Sequence, residues 1–399
     1  MLIEFSVANF FSFKERQTFS MVASKNKELE ETHTFVAPIS GGRDSIRLLR
    51  SAAVYGANAA GKTNLLFAIE AMQRMVVESA SEQLPGEQLK RMIPFKLDSK
   101  KRNEPSEFEI HLIADGVRYQ YGFAANEARV VEEWLIAFPH GRAQRWFDRT
   151  WNSKTQKYKW DFGASFKGAK ELWKKSTREN ALFLSIAVRL NSEQLWPLYD
   201  WFRKYMSMSA QVHRDTDPTV SSLEEGGKEK VLDFLKSADL DIHDVLVEKK
   251  PGQTVQMNTV HLDKAGKRVS FPWLYESNGT QKIFSLAAGW LRIQETNRVV
   301  GIDELHIHMH LALAKFLVAW FHSDRSNPNN SQLIFTTHET SLLDQNFLRR
   351  DQIWFCEKTK DNATSLYPLT DFHPRKGREN LELGYRSGVY GAVPYIREL

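Results

Sequence analysis

The chain has a single cysteine among its 399 residues, Cys356. That excludes an internal disulfide and a cysteine-held zinc site, and it fits a reducing compartment. Within Ile353-Trp354-Phe355-Cys356 the thiol reads as a small buried apolar side chain. The sequence also lacks any apolar run long enough to cross a bilayer. Met1-Leu2-Ile3-Glu4-Phe5-Ser6 has neither the basic start nor the apolar core of a secretion signal, so a cytoplasmic protein without a membrane partner is expected. Nor is there a large charge surplus. The 54 basic and 49 acidic residues leave a net charge of +5, too mild to point to nucleic acid by itself. Repeats, low-complexity tracts and sustained heptads are absent. The 42% hydrophobic and 26% charged content that remains is ordinary for a globular chain with room for two or three lobes.

Against that plain background one segment stands out. Gly56-Ala57-Asn58-Ala59-Ala60-Gly61-Lys62-Thr63 fits the phosphate-binding P-loop pattern. The apolar run Ser51-Ala52-Ala53-Val54-Tyr55 enters it as a buried strand, and Asn64-Leu65-Leu66-Phe67-Ala68-Ile69 leaves it as a helix. The glycines let successive N–H groups turn inward on a polyphosphate, the helix adds the positive end of its dipole, and Lys62 adds a point charge. The nucleotide-binding residues are therefore Gly56, Asn58, Ala59, Ala60, Gly61, Lys62, Thr63 and Asn64. Thr63 is placed to put its hydroxyl on a magnesium ion, so ATP and Mg²⁺ are the expected cofactors.

The organisation around this loop reads as three parts. Residues 1–163 form the N-terminal part of the lobe that carries the P-loop. It is rich in strands, with Leu2–Val7, Phe108–Ile113 and Val117–Phe123, the last two joined as a hairpin at Asp115-Gly116. Residues 164–240 turn to helical periodicity and form an insert lobe. A helix is expected to start near Asn191-Ser192-Glu193, and Lys167, Lys170, Lys174, Lys175 and Arg178 make a basic, solvated face. Residues 241–399 return to alternating strand and helix. Val299–Ile302, Leu311–Val318 and Gln332–Thr336 give the rhythm of a mostly parallel sheet.

Chemistry gathers at the strand ends of that last part. Val299–Ile302 runs into Asp303-Glu304, where Asp303 can hold magnesium and Glu304 can orient or deprotonate the attacking water. Gln332–Phe335 runs into Thr336-Thr337-His338, which puts the His338 imidazole on the same edge, able to donate to a γ-phosphate. Ahead of both, Glu276-Ser277-Asn278-Gly279-Thr280-Gln281 precedes a helix expected to begin near Lys282, a site suited to an anion. It resembles the ABC signature Leu-Ser-Gly-Gly-Gln, with Glu276 in place of the leucine, Asn278 of the first glycine and Thr280 of the glutamine.

The order P-loop, signature, Asp-Glu strand, His strand resembles that of ABC-type ATPases of the SMC, RecF and OLD class, and within it the bacterial abortive-infection AAA-type ATP-binding proteins, RloA-like chains included. The resemblance rests on Asn9-Phe10-Phe11-Ser12-Phe13, Tyr55 to Asn64, Glu276 to Thr280, Asp303-Glu304-Leu305, Thr336 to Asp344, Arg350 to Trp354, and the tail Tyr385 to Pro394. It implies an α/β ABC-type P-loop ATPase head with a mixed or parallel sheet. In such heads two copies sandwich two nucleotides, so Ser277, Asn278, Gly279 and Thr280 act in trans on the partner's nucleotide. Departures exist. Phe11 stands where relatives carry Arg or Lys, and His306-Ile307-His308-Met309-His310 matches the family only at His310; its alternate histidines read as a dimer-facing loop rather than a metal site. No glutamine is assigned to the Q-loop.

What else the chain can do is narrowed by its size. The 164–240 stretch is too short for an SMC coiled-coil arm, and the residues after His338 hold no Asp-X-Asp cluster and leave no room for a Toprim nuclease. The expected role is an ATP-hydrolysing sensor, regulator or scaffold in an anti-phage, abortive-infection system, working with a separately encoded effector, a nuclease by preference. The alternative is a RecF-like DNA-repair ATPase that binds DNA. The aromatic tail Tyr385-Arg386-Ser387-Gly388-Val389-Tyr390-Gly391 is either a partner surface or packed on its own domain.

Overall fold

The computed structural model describes residues 1–39, 45–209, 217–248, 256–375, 377 and 379–394. Its centre is a six-stranded sheet in the order Met206–Ser209, Val299–Ile302, Gln332–Thr336, Ser51–Tyr55, Ile353–Lys358, Thr364–Pro368. The first five strands are parallel and only the Thr364–Pro368 edge is antiparallel. The strands Val299–Ile302, Gln332–Thr336 and Ser51–Tyr55 are buried along their whole length because both faces are covered. Ala52 and Val54 face one core while Ala53 and Tyr55 face the other, as the two-residue period of a strand requires.

The first core lies between this sheet and a second, fully antiparallel one. The second sheet runs Lys157–Phe162, Gln144–Asn152, Val130–Phe138, Val117–Ala125, Ser106–Ala114, Leu2–Ala8, Gln17–Ser20. Between the sheets sits the helix Lys62–Glu78, whose Leu65, Leu66, Ile69, Met72 and Val76 recur at helical spacing and are buried. The hairpin at Asp115-Gly116 has φ of 47° and 75°, the paired positive values that a two-residue turn matched to strand twist needs. On the other face of the parallel sheet pack the helices Asn278–Arg292 and Leu311–His322, with Trp290, Phe321 and Phe234 in the second core. The result is a mixed α/β fold with parallel and antiparallel sheets and helical insertions.

Four local expectations need correction. The helix expected near Lys282 begins at Asn278, because Ser277 supplies the cap. The helix expected at Asn191-Ser192-Glu193 is instead Trp196–Asp200, after a turn. The stretch 164–240 carries helices, but its Met206–Ser209 segment is a strand that extends the parallel sheet beside Val299–Ile302. The basic face is not wholly solvated either. Arg178 turns inward to donate to the carbonyls of Ser79, Ala80 and Gln83 just past the end of Lys62–Glu78, where the helix dipole favours a cation. A third sheet, Asp244–Glu248, Gln256–Leu262 and Arg268–Pro272, had no sequence expectation at all.

Candidate functional site

All three chemistry-bearing strands end on one edge. Register aligns Thr336 with Val54 and Phe335 with Ile302, so Gly56, Asp303 and His338 follow their strands into a common crevice at the carboxyl end of the parallel sheet, where open α/β sheets bind ligands. The loop between Tyr55 and Lys62 is held in a shape few residues allow. Gly61 has φ of 108° and Ala59 has φ of 60°. A Cβ on Gly61 would overlap the Thr364 hydroxyl, and one on Gly56 would overlap the Cys356 carbonyl. Asn58 and Ala59 are exposed at the tip, while Ala60 is buried and donates its N–H to Ala57.

The loop is braced by Thr364, a residue without any sequence expectation, together with Ser12, Asn64 and Tyr385. Thr364 donates to the Ala60 carbonyl at 2.8 Å, its hydroxyl lies 2.7 Å from that of Ser12, and Asn64 donates to the Ser12 hydroxyl at 2.7 Å. The Tyr385 hydroxyl takes a hydrogen bond from the Gly56 backbone and donates to the Ala392 carbonyl. The tail is thus packed on its own domain at Tyr385 and Tyr390, both buried beside Phe355, with Leu383 and Val389 left exposed. Cys356 is buried in the same wall, which pushes its thiol up to about 12.

Lys62 is almost fully buried and donates to the carbonyls of Gly56 and Ala57 at 3.1 and 3.2 Å. Burial lowers its pKa, and Glu304 offsets part of that. The Thr63 hydroxyl donates to Asp303 at 2.9 and 3.1 Å, and Thr336 donates to the same carboxylate at 2.6 Å. Burial raises Asp303 above its ordinary range against these two donors. A hydroxyl and a carboxylate in contact are oxygen donors of the kind magnesium prefers. Among the described residues no group of three His, Cys, Asp or Glu side chains is arranged to hold a metal ion.

Glu304 sits beside His338 and Lys62. One carboxylate oxygen is 3.0 Å from His338 Nε2 and 3.8 Å from Lys62, and the other is buried without a hydrogen-bond partner. Burial pushes the Glu304 pKa up, but His338, Lys62 and His306 outweigh it and leave the carboxyl below its ordinary value. His338 Nε2 also lies 2.8 Å from Lys62. That nitrogen can accept from Lys62 or donate to Glu304, but one tautomer cannot do both. His306 bonds the Thr337 hydroxyl, whereas His310 caps the helix Leu311–His322.

The signature residues stand on the rim. Ser277 and Asn278 are exposed and Thr280 is buried. Ser277 caps the helix Asn278–Arg292 by accepting from the Thr280 N–H at 3.0 Å. Glu276, where the common signature has leucine, is held by Thr259 and by His261 at 2.7 Å. The structure brings the P-loop, Asp303, Glu304 and His338 together, and it leaves Ser277 and Asn278 facing outward.

A family profile described as "AAA domain, putative AbiEii toxin, Type IV TA system" matches residues 51–344. The chain belongs to this AAA family. It is accordingly a nucleotide-binding ATPase of abortive-infection association. The match takes in the P-loop, the signature, Asp303-Glu304 and His338. No curated protein matches the chain. Among solved structures, an SMC head bound to the C-terminal winged-helix domain of ScpA is 11% identical, with a TM-score of 0.45 over 93% of this chain and 99% of that one. The SMC head domain from Thermotoga maritima is 11% identical, with a TM-score of 0.39 over 92% and 98%. An SMC head with an extended coiled coil, bound to the C-terminal domain of ScpA derived from Pyrococcus furiosus, is 12% identical, with a TM-score of 0.36 over 93% and 97%. At such scores these likenesses carry nothing toward function. Among the described residues no helix is long and apolar enough to cross a membrane.

Proposed function

We propose that this chain is an ABC-type P-loop ATPase head that hydrolyses MgATP at paired composite sites and acts as a regulatory subunit in anti-phage defence beside a separate effector. The observation that carries the chemistry is the Glu304 carboxylate, with one oxygen 3.0 Å from His338 and 3.8 Å from Lys62 and the other buried without a hydrogen bond, 3.6 Å from His306. An orphaned buried acceptor is costly, and a water held there for attack on the γ-phosphorus would satisfy it. Glu304 takes that water's hydrogen bond, and its lowered pKa keeps it ionised as a base. Lys62 turns from the Gly56 and Ala57 carbonyls to the β- and γ-phosphates, which frees His338 Nε2 to donate to Glu304 or to the transferring group. Magnesium, held by Thr63 and Asp303, would neutralise the charge that develops as the phosphorus–oxygen bond breaks. Domain roles follow: 1–163 carries the P-loop, 164–240 the insert, and 241–399 the signature and carboxylates.

Exposure of Ser277 at the start of its helix supports action in trans, since a side chain that contacts a partner's nucleotide must reach the surface of one copy. ATP binding then joins two heads and hydrolysis releases them, a switch without evident output of its own. The abortive-infection association of the family supports a second protein, for which a nuclease is the preferred identity. Expressing the chain with and without its neighbouring gene, then challenging cells with phage, tests this reading. Protection requires both proteins, and full protection by this chain alone contradicts it.

A further inference from the structure

The signature helix is tied to the chain's own catalytic carboxylate segment. Ser277 caps Asn278–Arg292 through Thr280, which makes the signature and the first helical turns one rigid piece. Lys282 lies on that piece with its side chain almost fully buried. Its ammonium donates at 2.8 Å to the backbone carbonyl of Glu304. A second contact reinforces the first, since a Cβ on Gly279 would stand 2.6 Å from the His308 carbonyl. Both contacts fall on the 304–308 loop.

That loop is held in a conformation with little slack. Glu304 has φ of 48°, a left-handed value that costs a non-glycine residue free energy unless its surroundings hold it there. The Glu304 N–H donates to Thr336 at 2.8 Å, and its carbonyl accepts from Ile307 at 3.1 Å as well as from Lys282. A shift of the helix by a fraction of an ångström therefore moves the backbone on which the catalytic carboxylate hangs.

We propose that Lys282 is a positioning residue that couples the two composite sites: a partner's triphosphate docking on this chain's Ser277–Thr280 moves the helix, and Lys282 passes that movement to this chain's own Glu304. The inference rests on the trans reading of the signature. It gives each head a reason to hydrolyse only when both nucleotides are in place, because the helix that senses one phosphate holds the base that activates the water attacking the other.

The test uses the full chain, with ATP hydrolysis measured against ATP concentration and ATP binding measured separately by calorimetry, for the native sequence, Lys282→Met and Lys282→Arg. The native chain should show a Hill coefficient above 1. Lys282→Met should bind ATP within about twofold of native while its kcat falls about tenfold and its Hill coefficient drops to 1. Lys282→Arg, which keeps a donor for the carbonyl, should recover most of both. Native kcat and cooperativity in Lys282→Met would overturn the coupling, as would a loss of ATP affinity equal to the loss of rate. Failure of the trans reading itself shows differently, as a rate per chain that does not depend on protein concentration and is untouched by Ser277→Arg.

Discussion

The Thr63 hydroxyl donates to both carboxylate oxygens of Asp303, at 3.1 and 2.9 Å, although the two residues are 240 apart in sequence. This pair links the helix that follows the phosphate loop to the end of Val299–Ile302, a strand separated from Ser51–Tyr55 by Gln332–Thr336. Asp303→Asn should retain ATP binding without metal but lose magnesium-dependent hydrolysis by about 100-fold, the scale set by removing a metal-bound charge from phosphoryl transfer. Titrating magnesium against activity checks it, and an unchanged magnesium requirement would remove Asp303 from the metal site.

Gly61 is a narrower point of failure. Its φ of 108° and the overlap of any Cβ with the Thr364 hydroxyl mean that Gly61→Ala both strains the loop and displaces its brace. It should lower stability by about 1–3 kcal/mol and weaken ATP binding as well. Thr364→Ala in the same background, which removes the overlapping hydroxyl and methyl, should not relieve the strained φ. Calorimetry and thermal unfolding together separate the two losses.

How much of this was open to the sequence depends on distance along the chain. The P-loop, Asp303-Glu304 and His338 were legible because each follows a short apolar strand at once, so residue type and local structure point the same way. The bracing of that loop was not. Ser12 and Thr364 meet across 352 residues, and nothing in either neighbourhood marks the pairing. Lys282 was read only as a helix start, since a lysine in a helix carries no signal that its ammonium reaches a carbonyl of another element. The Gln144–Asn152 and Lys157–Phe162 strands were missed for a different reason: they lie at the edge of the antiparallel sheet, where polar residues alternate and apolar runs do not form.

A second set of long-range contacts concerns stability rather than chemistry. Glu133 and Arg149 form a fully buried ion pair at 2.9 Å, and Glu133 also accepts from the N–H groups of Phe183 and Leu184, capping the helix Phe183–Arg189. Arg149→Met leaves that carboxylate buried without its cation and should cost about 3–5 kcal/mol, read as a lower Tm. ATP affinity of the folded fraction should not change. A variant as stable as the native chain would show that the pair contributes nothing net.

Ser277→Arg places a bulky cation on the exposed rim, so it should cripple hydrolysis and spare nucleotide binding by the separate chain. Mixed with Lys62→Ala, it should regain partial activity, since one intact P-loop then faces one intact signature. Equal loss of ATP affinity in the two single variants would contradict action in trans.

The most direct test of the whole account compares Glu304→Gln with Lys62→Ala in ATP binding and in hydrolysis. Lys62→Ala should weaken binding by about 10- to 100-fold, the weight of a charge-assisted contact to phosphate. Glu304→Gln should bind ATP as the native chain does and hydrolyse it about 10²- to 10⁴-fold more slowly, the range for loss of a general base, accumulating the ATP-joined form. Hydrolysis by Glu304→Gln at the native rate would contradict the assignment on which the site, the mechanism and the coupling through Lys282 all depend.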